Sequence, residues 1–559
     1  MEIDNIIRRN ALKNAIDYKG KANPKTIVGK ILGEHAEWRE NRAELAKKVD
    51  IIVGEVNKMT VDEQRKELLE CAPEMLEKKE KKERDMFAFF GIKEGDKVVT
   101  AFPPGPEKYP HIGHAKSLLL NHLLAEQKGG SFVLRFEDTN PKTVQGIFYE
   151  VMEENFKWLG VKWDKLLYAS DYMDLFYSMC DKVLSAGDAY VCSCDGEKVK
   201  LSREKGDACA CRDRSTEENL EMWNGMKKDV PQGHAIVRLK IDLTHKNTTM
   251  RDPTIFRILE DEHARHGKKY RVWPNYDWQN AIMDGHLGIT HRIRSKEFEL
   301  RSELQRYIQE LLELPTTVTY EVGRFNMTGV ESSGRVIREK IEKGELLGWD
   351  DPTLTTIVAL RRRGFHPSAI KNFVVSTGIS KAEATLTWDD LIVHNKRLLD
   401  AEADRYFFVA DPVELWVKGA GSESVELNLH PTHRKGGRKF SVHDNFFIAK
   451  KDFDGLEEGK MYRLMDCLNF RKDMDGFEFD SREVEKYKKH GSSIMHWLPR
   501  SDDLVDVEVM MPDKQVVTGV AEAAVRNVAE GDLIQFERFG FCRLDKKVND
   551  RFVFWYAHK

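Results

Sequence analysis

The sequence predicts a multidomain α/β protein built on a parallel sheet, with a helical region before it and a β-rich region behind it. Two observations carry this. From residue 93, strand-like apolar runs alternate with helical ones: 98–102, a helix after His114, Ser131-Phe132-Val133-Leu134-Arg135-Phe136, then a helix over 144–159. Such alternation implies parallel strands joined by helical crossovers. From about residue 404 short β runs dominate, among them Tyr406-Phe407-Phe408-Val409, Phe446-Phe447-Ile448-Ala449, 505–511 and Arg551-Phe552-Val553-Phe554-Trp555-Tyr556. The turn pairs Asp454-Gly455 and Asp475-Gly476 punctuate them, and one or two β-barrels are expected there. At 559 residues the chain exceeds a single core, and roughly three to five domains follow.

In order, residues 1–92 read as helical, with 34–49 and 61–70 rich in strong helix formers at a spacing near 3.6. The run Glu77-Lys78-Lys79-Glu80-Lys81-Lys82-Glu83-Arg84 mixes signs and reads as a solvated helix face or linker rather than an RNA contact. Residues 93–186 open the parallel sheet, and 187–268 read as an insertion. Residues 269–325 resume the sheet, 326–403 are helical and 404–559 are β.

A net charge of −4 does not itself point to nucleic acid, although an acidic whole can carry basic patches. No run of about 18 apolar residues occurs, so no membrane span is expected. Met1-Glu2-Ile3-Asp4 lacks a signal peptide's apolar stretch, and a cytoplasmic protein follows by default. Of eight cysteines, Cys192, Cys194, Cys209 and Cys211 form two Cys-x-Cys pairs across a short loop. Four soft ligands suit a tetrahedral structural zinc with no open position; free thiols are the alternative. Cys71, Cys180, Cys467 and Cys542 are scattered and read as buried core residues.

Four blocks carry chemistry. Tyr109-Pro110-His111-Ile112-Gly113-His114-Ala115-Lys116 sets two imidazoles around a glycine where a strand turns into a helix. Free N–H groups and a positive dipole make that end a phosphate site, and the imidazoles can donate to phosphate oxygens. Leu134-Arg135-Phe136-Glu137-Asp138-Thr139-Asn140-Pro141 ends a second strand and places Glu137 to meet a cation such as an amine, or else forms a turn closed by Asp138 and Asn140. In the third block, Asn280 follows Tyr276 by four on one helix face, and Ile289-Thr290-His291-Arg292-Ile293-Arg294 alternates as a strand that aims Arg294 at its end. The fourth is Gly348-Trp349-Asp350-Asp351-Pro352-Thr353-Leu354, followed by Arg361-Arg362-Arg363, which offer RNA phosphate contacts or one solvated helix face.

In this order and spacing the blocks closely resemble the archaeal and eukaryotic branch of the glutamyl- and glutaminyl-tRNA synthetases, within the class I aminoacyl-tRNA synthetases. The likeness spans nearly the whole chain, from Gly20-Lys21-Ala22-Asn23-Pro24 to Ser493-Ile494-Met495-His496-Trp497-Leu498. It implies a Rossmann-like catalytic domain split into 93–186 and 269–325. The 187–268 insertion would bind the tRNA acceptor end, 326–403 its stem, and the β-barrels of 404–559 the anticodon. The activity implied is attachment of an amino acid to the 3′ end of tRNA through an aminoacyl-adenylate, with activation waiting for tRNA. ATP enters with Mg2+ as substrate, a structural Zn2+ fits the cysteines, and a monomer is expected.

By the same resemblance, His111 and His114 are catalytic donors. His111, Gly113, His114, Ser332, Ser333 and Arg335 would hold ATP, with Arg335 also catalytic. Glu137, Tyr276, Asn280 and Arg294 would hold the amino acid. Arg294 decides the substrate, because a guanidinium pairs a glutamate side-chain carboxylate in a forked geometry and leaves glutamine a buried unpaired charge. A surface ion pair with Glu297 is the alternative role. Glutamate and tRNA(Glu) are the expected partners, with tRNA(Gln) and a glutamine-specific enzyme kept open.

The chain departs from the family at three places. Ala101 stands where an amino-acid-binding arginine is usual. Glu107-Lys108 and Pro110 replace the usual lead into the histidines. The phosphate loop, Val330-Glu331-Ser332-Ser333-Gly334-Arg335-Val336-Ile337-Arg338, lacks its lysine. A paralogue that binds tRNA without charging it is therefore the second reading. In the C-terminal region, His433-Arg434-Lys435-Gly436-Gly437-Arg438-Lys439 is a basic run, either an anticodon contact or a surface loop.

Overall fold

The computed structural model describes residues 2–18, 20–35, 38, 41–76 and 85–559. Residues 77–84, the mixed-charge run, lie outside the described residues. The chain divides into two compact units, one ending at Ala88 and one running from Phe89 to Lys559.

The first unit contains the helices Glu2–Asp17, Pro24–Glu34, Arg42–Val56 and Val61–Cys71. Their starts are chemically explicit. Asn23 accepts the N–H groups of Lys25 and Thr26, with Pro24 at the first helical position, and Thr60 and Glu63 form a reciprocal capping box. Ile7, Leu12, Ile31, Leu45, Val53 and Leu68 fill a core of their own. Instead of one helix over 34–49, one helix ends at Glu34 and the next starts at Arg42. Cys71, at a helix end, is exposed, whereas Cys180, Cys467 and Cys542 are buried.

The second unit opens with a five-stranded sheet of β1 (Val99–Phe102), β2 (Ser131–Phe136), β3 (Lys165–Tyr168), β4 (His291–Ser295) and β5 (Val318–Val322). Its order is β3-β2-β1-β4-β5 and every pairing is parallel. The helix α1 (Ile112–Gln127) links β1 to β2, and α2 (Tyr276–Leu287) leads into β4. β1 and β2 are buried almost throughout, as a sheet covered on both faces requires.

The insertion forms a four-stranded antiparallel sheet of Ala189–Cys192, Ile236–Leu239, Thr254–Ile258 and Val272–Pro274. Its last strand is the opening of the third sequence block, so that strand aims the chain straight into α2. Trp223, Trp273 and Trp278 bind this sheet and α2 into one core. Residues 326–403 supply the helices Gly334–Glu342, Ile357–Arg363, Pro367–Ser376 and Trp388–Glu402.

The C-terminal region is two seven-stranded, near-barrel sheets. One joins Asp404–Tyr406 and Phe408–Ala410 to strands between Val505 and His558; the other gathers strands between Pro412 and Pro499. The basic run is not a loop. Arg434–Val442 is a strand paired antiparallel with Glu423–His430. Alternation buries Arg438, which meets Glu522 at 2.7 Å and Glu537 at 2.8 Å and bridges the hairpin to the neighbouring sheet. Removing one member of a buried, hydrogen-bonded ion pair leaves the other uncompensated. Arg438→Met is therefore expected to lower stability by about 3–5 kcal/mol, and adding Glu522→Gln to recover part of that loss, read by chemical denaturation.

Candidate active site

Strand order reverses between β1 and β4, and ligands of open parallel sheets bind beyond the strand ends at such a point. A cavity of about 850 Å³ opens there. It is lined by His111, Gly113 and His114 from the first block, Glu137 from the second, Tyr276 and Arg294 from the third, and Ser332 and Ser333 from the 330–338 segment.

The histidine segment is built from below. Tyr109 stacks on Trp349 at 5.3 Å and meets Phe148 edge-on. Ile112 N–H donates to the Thr355 carbonyl (3.0 Å) and Ile357 N–H to that of Pro110 (2.8 Å). Asp351, fully buried, accepts the N–H groups of Leu347 (2.9 Å) and Thr353 (3.0 Å) and the Thr353 hydroxyl (2.6 Å). The fourth block is thus the buttress that holds His111 at the mouth of α1.

His111 caps α1 with its ring. Its Nδ1 accepts Gly113 N–H at 3.0 Å, and its own N–H donates to His114 Nδ1 at 3.2 Å. A neutral imidazole that accepts at Nδ1 carries its proton on Nε2. Burial pushes the His111 pKa down to about 3, helped by the Lys108 and Arg324 cations, and holds His114 well below the ordinary histidine range. Both rings are therefore neutral Nε2–H donors at pH 7. Gly113 is required by space: a Cβ there would lie 2.8 Å from His111 Cε1.

Behind the histidines lies a buried charge cluster that joins three elements. Arg135 of β2 binds Asp284 of α2 (2.7 Å) and Glu137 (3.1 Å). Arg292 of β4 reaches the other Asp284 oxygen (2.6 Å) and Asn280 Oδ1, and Asn280 donates to Glu137. Burial raises Glu137 to about 7, with Arg135 and Arg292 opposing the rise. Asp138, beside it, faces away and braces the turn, accepting from Ser170 N–H and the hydroxyls of Ser170 and Tyr149.

Arg294 is different. It is 4 % exposed, and its guanidinium donates only to neutral oxygens, Gln305 Oε1 (2.8 Å) and the Tyr276 hydroxyl (2.7 Å). Among the described residues no carboxylate lies within ion-pair distance of it. Glu297, the alternative partner, pairs with Arg324 at 3.4 Å. A buried cation without a counter-ion is costly unless an anion from outside completes it.

Two candidates sit apart from the cavity. Arg335 has an 84 % exposed side chain, pairs with Glu339 at 3.7 Å and is not among the lining residues. Asn280 does not line the cavity but touches Glu137 and Arg292, which do. Lys108 and Lys116 line the cavity instead, and burial lowers both pKa values, that of Lys116 to about 8. Each arginine of the run has partners within the protein. Arg361 pairs with Glu154 and Arg362 with Asp350 and Asp545, while Arg363 is buried and donates to the Pro352 and Ala557 carbonyls.

In the insertion, the sulfurs of Cys192, Cys194, Cys209 and Cys211 all lie within 4.8 Å of one another. The 192–209 and 194–211 pairs are each 3.9 Å apart. Tetrahedral zinc with bonds of about 2.3 Å needs sulfurs about 3.8 Å apart, so the donor set fits that ion.

A parallel sheet with neutral histidine donors at a helix N-terminus, beside a cavity lined by charged side chains, is the arrangement of a class I aminoacyl-tRNA synthetase core. The sequence pattern of the tRNA synthetases class I (E and Q) catalytic domain matches residues 97–401, and those of two anticodon-binding domains match 403–488 and 494–545. The chain belongs to this family. It is 40% identical to proteins named glutamate–tRNA ligase from Pyrococcus abyssi and Pyrococcus furiosus, over 100% of both chains in each case. It is also 40% identical to the one from Methanocaldococcus jannaschii, over 98% of this chain and 99% of that one.

The raised Glu137 carboxyl has a readable consequence. It is an anion above about pH 7 and takes up a proton as pH falls through that value. A carboxyl resonance titrating near pH 7 is expected in the isotope-labelled protein, and it should be absent from Glu137→Gln.

Proposed function

We propose that the chain attaches glutamate to the 3′ end of tRNA(Glu), at the expense of ATP, through a glutamyl-adenylate. The observation that carries the choice of glutamate is Arg294, a buried guanidinium whose only partners are neutral. The substrate's side-chain carboxylate completes it, with the Tyr276 hydroxyl fixing the fork. Glu137 takes the α-ammonium, and Asn280 keeps Glu137 in place.

The cavity is lined by six side-chain cations, Lys108, Lys116, Arg257, Arg292, Arg294 and Arg324, against the three carboxylates of Glu107, Glu137 and Glu297. That excess suits a triphosphate and an acidic amino acid together. The first step is in-line attack of the α-carboxylate on the α-phosphate, which releases pyrophosphate. The protein positions both groups and stabilises the developing negative charge. His111 and His114 do so as Nε2–H donors with the α1 N-terminus, Gly113 lets the nucleotide approach the backbone, and Ser332 and Ser333 close over the phosphates. Arg335 joins them only if its loop moves inward. Mg2+ arrives on the phosphates, because the only metal-type cluster among the described residues is the cysteine group, where Zn2+ would fasten the loop.

A glutamine amide in the same place would leave the charge of Arg294 uncompensated. We further infer that the β-region reads the anticodon of tRNA(Glu), that tRNA(Gln) is the secondary candidate, and that the enzyme works as a cytoplasmic monomer. No helix among the described residues is long and apolar enough to cross a membrane.

The test is aminoacylation with glutamate, ATP and tRNA present together. Turnover with glutamate is expected, and no tRNA-dependent turnover with either glutamate or glutamine would leave the non-charging paralogue. Truncating one partner of a buried charge pair costs roughly 2–5 kcal/mol, so Arg294→Ala is expected to lower kcat/KM for glutamate by roughly 30- to 5,000-fold. For the insertion, elemental analysis is expected to find about one zinc per chain, and Cys209→Ser to release it.

A further inference from the structure

The missing arginine at position 101 has a structural counterpart. β1 and β4 are parallel neighbours with Thr100 opposite His291, so Ala101 stands opposite Arg292 one residue further on. Directly opposed residues of adjacent strands share a face of the sheet. It is the face that also carries Arg135, since Ala101 pairs with Val133 two residues before it. Ala101 is fully buried, packed with Val99, Val133 and Ile289.

Arg292 is 3 % exposed and lines the cavity. Its Nη1 is anchored by Asp284 and Asn280. Its Nε and Nη2 have no protein acceptor among the described residues, and neither is among the sealed, partnerless atoms of the interior. One edge of the guanidinium is therefore fixed and the other is open. Arg292 lies two residues before Arg294 on a parallel strand, on the same face and about 6.6 Å deeper below the strand end where the nucleotide sits. The part of the amino acid farthest from the phosphate reaches that depth, which is its side chain.

We propose that Arg292 is a specificity residue: it binds the side-chain carboxylate of glutamate together with Arg294, and it supplies from β4 the cation that β1 lacks at Ala101. The proposal rests on glutamate being the substrate. Arg135 with Glu137 and Asp284, and the Nη1 edge of Arg292 with Asp284, are paired within the protein; the open edge of Arg292 and the charge of Arg294, which has only neutral partners among the described residues, await the ligand. Two guanidiniums on one carboxylate also make the rejection of glutamine stronger than one does, because its amide leaves Arg294 without an anion and offers the open edge of Arg292 a weaker, uncharged acceptor.

The test moves the guanidinium one strand over, by about 4.8 Å. Four proteins are compared in tRNA-dependent charging: the natural chain, Arg292→Gln, Arg292→Val, and Ala101→Arg/Arg292→Val. Arg292→Gln, which keeps a donor toward Asp284, is expected to lower kcat/KM for glutamate about 30-fold or more, to narrow the preference over glutamine, and to leave KM for ATP within about threefold. The double variant is expected to regain at least about tenfold over Arg292→Val. Equal losses toward glutamate and ATP, or no recovery in a double variant whose thermal unfolding matches the natural chain, would overturn the proposal. If the natural chain charges no glutamate, the reading of substrate falls and this inference with it; if it charges normally and Arg292→Gln does so equally well, only the inference falls.

Discussion

Everything in the site hangs on the carboxylate of Asp284. It sits on α2, fully desolvated, and holds a guanidinium on each oxygen: Arg135 from β2 and Arg292 from β4. Desolvation alone would raise its pKa, yet the two arginines hold it below the ordinary carboxylate range. Three elements that approach one another only in the folded sheet are thereby locked at its switch point. The same lock sets Glu137, which shares Arg135 and is held by Asn280. A buried ion cluster of this kind contributes little net stability, because desolvation offsets most of the attraction. Its contribution is geometric: the charged groups cannot reorient without leaving one of them unpaired.

The electrostatics divide the cavity into two regimes. Near α1 the groups are neutral donors and lightly anchored ammoniums: His111 and His114 with protons on Nε2, and Lys116 held by the Gly323 carbonyl at 2.7 Å. That end suits a phosphate chain whose charge grows and then departs as pyrophosphate. The deeper end is made of guanidiniums that stay charged throughout. Polarity there discriminates rather than catalyses, because a permanent cation rewards one substrate and penalises its neutral isostere.

The parallel sheet and the β-rich tail were legible because their signals are local: apolar period, crossover length and turn pairs. The positions of Tyr276 at a helix start and of Arg294 near a strand end were legible for the same reason, while their roles came from the family resemblance. Arg292 was partly legible, since strict alternation places it on the face of Arg294. What made it recognisable was Ala101, nearly two hundred positions earlier, and only strand order brings the two together. The arginine triplet and the basic run at 433–439 show what charge density alone leaves open. The basic run is a strand whose alternation buries Arg438 and leaves Arg434, Lys435 and Lys439 exposed, and in the triplet, on the helix Ile357–Arg363, Arg363 is the buried member.

The phosphate loop shows how charge can be redistributed between segments. The sequence offers Arg335 where a lysine is missing, and the fold turns that side chain outward onto Glu339. Gly334, its neighbour, packs against Lys108, whose Cδ lies 2.8 Å from where a Cβ would stand. Lys108 belongs to the other departure from the family, the altered lead into the histidines. Its ammonium lines the cavity, is partly desolvated and meets the fields of Glu107 and Glu297. Two departures that look independent in the sequence thus meet in one place, where Lys108 packs against the loop at Gly334. The Ala101–Arg292 pair has the same form. In both, a position where the sequence departs from the family lies against a cation of a neighbouring element, because the two elements touch in the fold.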